Sequence, residues 1–154
     1  MEPVEVAVWV AHSLFSGVWT GSVLFLVVAV LPLARNGTLN AAPLESLVGS
    51  VKTISRVSSV ALLLTGGHMA ATRYTSESLF ETESGWLVLT MVSFWFLLMA
   101  TVEIGGAKLT DGAERDKVRE PAAAARPFLL AASLCAVALL VTAGLISARN
   151  LGYF

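Results

Sequence analysis

Four long apolar stretches, at about 5–33, 47–71, 85–105 and 127–148, alternate with three polar segments along the chain. A helix needs about 20 apolar residues to cross about 30 Å of hydrocarbon, and each stretch meets that length. The separating segments, "ARNGTLNAAPLES", "TRYTSESLFETES" and "GAKLTDGAERDKVREPAAAARP", carry the proline, glycine and serine that punctuate helices. A backbone surrounded by lipid must satisfy its own hydrogen bonds, which selects helices for all four spans. Short connections make sequence neighbours antiparallel. The pattern therefore predicts one all-α domain over residues 1–154, an integral membrane antiparallel four-helix bundle with no soluble domain.

Composition agrees with a bilayer setting. Of 154 residues, 56% are hydrophobic and 14% charged, against about 25% charged in soluble proteins; the mean hydropathy is +0.76. The opening "MEPVEVAV" has two acids and no base, and its apolar run continues to Leu33. That is too long for a signal peptide and long enough to span, so it reads as a retained helix. No basic stripe or tail offers a surface for nucleic acid. Cys135 is the single cysteine, which excludes an intramolecular disulfide or thiolate cluster and suits a small apolar filler in the fourth helix.

Charge placement gives a direction. The first and third polar segments and their flanks hold Arg35, Lys52, Arg56, Lys108, Arg115, Lys117, Arg119 and Arg126; the opposite side has only Arg73 and Arg149. By the positive-inside rule the chain is expected in the cell membrane as a multi-pass protein with both termini extracytoplasmic. The mixed charges of "DGAERDKVRE" suit a solvated face, or a short helix on the cytoplasmic surface. Glu103 and Arg56 lie toward that inner side, where they can pair or snorkel separately.

The candidate chemistry sits toward the outer side. His12 falls about seven residues, or roughly 10 Å, into the first helix; His68 lies about four residues before the outer end of the second; Met91 lies about six residues into the third. Histidine is costly inside a span and marks function by default, although an interfacial anchor beside Trp9 and Trp86 is the plainer role. Ser13, Ser16 and Thr20 fall on the side of His12, and Thr65, Ala61 and Ser58 on the face of His68. Met69 points about 100° away from His68. Gly17, Gly21, Gly66 and Gly67 allow close approach of another backbone or a flat ligand. Met91, Trp95 and Met99 form a stripe at i, i+4, i+8, a pattern more common in cores than in ligand sets. No Ser-His-Asp set, paired carboxylates or phosphate-binding glycine loop occurs, so there are no catalytic residues to assign.

An internal repeat is visible at an offset of 77. "LLLTGGHMAA" matches "LLVTAGLISA", bringing Thr65 onto Thr142 and Gly67 onto Gly144, and Trp9 falls on Trp86. Two similar hairpins would result, as in transporter folds, with His12 on Leu89 and His68 on Leu145.

"WVAHSLFSGVWTGSVLF", with His12, Trp19 and Gly21 as H-x6-W-x-G, resembles the first helix of CopD-type membrane proteins. "SRVSSVALLLTGGHMA" and "GWLVLTMVSFWFLLMA" are similar to their second and third helices, so the likeness covers about the first two-thirds of the chain. The resemblance implies copper uptake or resistance, and extends more distantly to the four-helix HemJ proteins, which bind haem b and act in protoporphyrinogen oxidation. Thr90 stands where those relatives often carry a lysine. The long multi-helix extension of larger CopD proteins is missing, which implies self-association or a membrane partner protein. Copper binding by His12, His68 and Met91 is the first expectation, since Cu(I) accepts imidazole and thioether ligands. Haem b between His12 and His68 is the second, and a ligand-free structural subunit the third.

Overall fold

The computed structural model describes residues 2–153. Among them every regular element is helical: α1 (Pro3–Phe25), a π-helical turn (Leu26–Val30), α2 (Leu31–Asn36), α3 (Ala41–Arg73), α4 (Ser76–Glu81), α5 (Glu83–Ala113) and α6 (Arg119–Asn150). The first span is α1 to α2 taken together, and the others are α3, α5 and α6, all long and apolar enough to cross a membrane. At 1.5 Å per residue a helix of 33 residues runs about 50 Å, so each passes beyond the hydrocarbon into the headgroups. The side chains turned outward are apolar, among them Val28, Leu64, Phe96 and Leu134.

The π turn has a cause in the sequence. Pro32 has no N–H and its ring crowds the carbonyl four residues back, so the helix widens just before it. The Leu31 N–H accordingly reaches Leu26 O. The third connection holds no separate surface helix. α5 absorbs "DGA", the chain turns over 114–118 with Asp116 at φ 55°, and α6 begins at Arg119. The short helix lies instead in the second connection, where Thr75 and Ser78 form a reciprocal capping box at the start of α4.

The helices pack in a ring, with α1 against α3, α3 against α5, α5 against α6 and α6 against α1. Hydrophobic burial gains little where lipid is equally apolar, so close fit decides which faces meet. α5 and α6 are held close by Gly105, where a Cβ would come within 2.8 Å of Leu129 Cδ2. One core cluster, with Leu26, Val30, Leu44, Val48, Leu109 and Leu129, fills the end bearing the first and third connections. A second, around Trp19, Val23, Leu62, Leu98, Val102 and Ala136, fills the middle, and Cys135 packs into it. Toward the end bearing both termini, Gly85 and Thr142 are the remaining buried positions among the described residues. Fully buried positions are sparse at that end.

Buried positions recur between the two halves. Val48, Ser55, Ser58 and Ser59 of α3 correspond at an offset of 77 to Ala125, Ala132, Cys135 and Ala136 of α6, all buried. For the first and third spans the matching offset is 79: Trp19, Val23, Val27, Val30 and Ala34 recur as Leu98, Val102, Gly106, Leu109 and Ala113. On that register His12 corresponds to Met91, in place of the Leu89 expected from sequence matching.

Candidate functional site

His12 projects from the centre of the buried face of α1, two helical turns before Trp19. Its Nδ1 lies 2.8 Å from Thr65 Oγ1 on α3. The Thr65 hydroxyl also donates to Ala61 O at 2.7 Å. This donation uses the one hydroxyl proton, so toward the imidazole the oxygen acts as acceptor and Nδ1 carries the hydrogen. Nε2 is then left with its lone pair, the form of histidine that binds a metal or accepts a proton. The ring rests on the α3 backbone at Gly66, where a Cβ would stand 3.1 Å from His12 Cε1.

Gly66→Val is therefore expected to swing the imidazole off Thr65 while leaving the helices intact. The check is a shift of the His12 ring nitrogen resonances in detergent micelles with unchanged circular dichroism.

The buried face of α3 runs through Val48, Val51, Ser55, Ser58 and Leu62. Continued by helical periodicity, it reaches the half-buried Met69, with Thr65 at its α1 edge. His68 falls beyond that edge, and its side chain is exposed. The two histidines thus sit on adjacent helices, one turned into the bundle and one on its outer surface. Met91 is half-buried and lies on the face of α5 that includes Leu98 and Val102. Thr142, the counterpart of Thr65, is buried on α6 with its hydroxyl bonded to Ala138 O at 2.9 Å. Among the described residues no three His, Cys, Asp or Glu side chains gather as a metal cluster. The polar group held against the His12 ring is the Thr65 hydroxyl.

Below these residues the bundle closes on two tryptophans. Trp19 and Trp95 meet edge to face with ring centroids 6.4 Å apart, and Trp95 packs in the same way on Phe96 at 4.7 Å. The indole N–H groups of both tryptophans are buried without an acceptor, as is the Ser55 hydroxyl. Sequence reading passed over this floor because the Met91–Trp95–Met99 stripe looks like ordinary core. Further in, Arg56 and Glu103 form a bidentate pair, Nε to Oε1 at 2.7 Å and Nη2 to Oε2 at 2.9 Å. Of the two arrangements open to them, they adopt pairing between α3 and α5.

A family model described as copper resistance protein D matches residues 45–148, about two-thirds of the chain. The chain belongs to the CopD family. The match begins in α3 and runs through α6, so it takes in the second and third spans that carry the resemblance and adds the fourth. It takes in Thr65, Met69 and Met91 and leaves His12 in the unmatched first span. No curated protein and no solved structure matches the chain. CopD membership with four membrane-length helices makes this a copper-resistance-related membrane protein.

Proposed function

We propose that the chain receives Cu(I) at the end of the bundle bearing the termini, with His12 Nε2 as the anchoring ligand and Met91 as a thioether donor from across the bundle. The Ala61–Thr65–His12 hydrogen-bond chain carries this reading. It holds the ring in one tautomer, as outer-shell partners of metal-binding histidines do. Imidazole and thioether together suit Cu(I) better than a hard cation, which would prefer oxygen ligands. His68, exposed at the same end, acts as a gateway imidazole ahead of the interior pair. The unpartnered indole N–H groups of Trp19 and Trp95 supply donors that hold water beneath the ion. The lysine and arginine distribution supports an extracytoplasmic position for this end, where an incoming ion would be captured. Delivery beyond the tryptophan floor calls for a partner protein or a second copy of the chain.

The test is purification in mild detergent from cells supplied with both copper and haem precursor, followed by metal analysis and a visible spectrum. About one copper per chain and no haem absorption band is the expected result. A haem band would replace this reading with a redox protein, and a preparation with neither would leave the chain a structural subunit. Either result overturns the copper assignment.

A further inference from the structure

We infer that Met69, in place of His68, completes the interior ligand set, so that copper is held by one imidazole and two thioethers from three helices. The inference rests on the copper reading above and names its third ligand. Two contacts fix the levels. Arg56 paired with Glu103 sets the register of antiparallel α3 and α5, so Met69 stands level with Thr90 and Met91. His12 on Thr65 sets the register of α1 and α3, and Met69 lies one turn beyond Thr65. Side chains lean toward the N-terminus of their own helix. Met69 therefore leans inward along α3, back toward the level of Thr65 and Gly66 where the His12 ring rests. Azimuth agrees, because Met69 continues the buried line of Leu62, whereas His68 is exposed at that height. Met99, eight residues deeper than Met91, belongs to the packing around Trp19 and Leu98 and stays outside the set.

Two soft thioethers beside one borderline imidazole favour monovalent copper over zinc or divalent copper. Methionine to leucine preserves volume and apolarity while removing the sulfur, so the variants test ligation and leave the fold in place. X-ray absorption on the Cu(I)-loaded full-length protein is expected to show two sulfur neighbours in the wild type. Met69→Leu and Met91→Leu should each show one, and the double variant none. Competition with a chromophoric Cu(I) chelator should register a loss of about tenfold for each single variant. Met99→Leu should match the wild type in both measurements. A Met69→Leu protein that keeps its sulfur count and affinity overturns this inference and leaves the copper reading standing. A wild-type protein that takes up no copper overturns both.

Discussion

His12→Leu is expected to yield a folded, membrane-inserted protein whose Cu(I) affinity is lower by at least about a hundredfold, because loss of an outer-shell partner alone costs tenfold to a hundredfold. Leucine fits the half-buried position on α1 and removes the only imidazole turned into the bundle. Thr65→Val grades the effect. Valine retains the shape of threonine but removes the oxygen that accepts from Nδ1 and the back-bond to Ala61. The ring can then invert its tautomer, and affinity should fall by about tenfold to a hundredfold with the ligand itself still present. Chelator competition on the wild type and both variants checks the order. A His12→Leu protein with wild-type affinity would remove His12 from the site.

Trp19→Ala should be the most damaging single truncation in the bundle. Trp19 is fully buried at the centre of the middle cluster and meets Trp95 across the ring of helices. Truncating a buried tryptophan costs about 3–5 kcal/mol in soluble proteins. Part of that figure is transfer of apolar surface to water, a contribution that lipid largely removes. The expected loss is therefore near the lower end, about 3 kcal/mol, and arises from the cavity and the lost ring contacts. Unfolding in mixed micelles, followed by circular dichroism, measures it. Trp19→Phe, which keeps an aromatic ring and discards the unpartnered N–H, should retain most of the stability. Equal losses for both variants would show that the full indole, and not simply an aromatic ring, is required at this position.

The number and type of the spans were plain in the sequence because every apolar window exceeds the length needed to cross hydrocarbon. The helix ends were less plain. α5 and α6 run on through 106–113 and 119–126, where charged residues interrupt the apolar run and hydropathy no longer distinguishes helix from loop. Pro32 was visible, but the widening of the turn before it depends on how the backbone relieves the missing donor. The faces were the hardest feature to read. In a water-soluble helix the polar side marks the outside; here apolar residues fill both the core and the lipid-facing surface. Taking His68 as the marker of the inward face ignored the line of Leu62 and Met69, whose burial is set by packing. The sequence drew attention to His12 on the first helix and to Thr65 on the second, but not to each other. The contact between them is a property of the assembled pair of helices.

The recurrence of buried positions has a consequence for how such a protein acquires its chemistry. When two halves of a chain share a scaffold, a container built by duplication begins with the same side chain at each of two opposed stations. Divergence at one station is enough to turn a matched pair into a mixed nitrogen–sulfur pair, with no change of backbone. His12 and Met91 occupy such stations, and Thr65 and Thr142 are the shared residues behind them. Under the copper reading proposed above, metal preference rests on the residue at each of these two stations, and a change there leaves the packing of the bundle untouched.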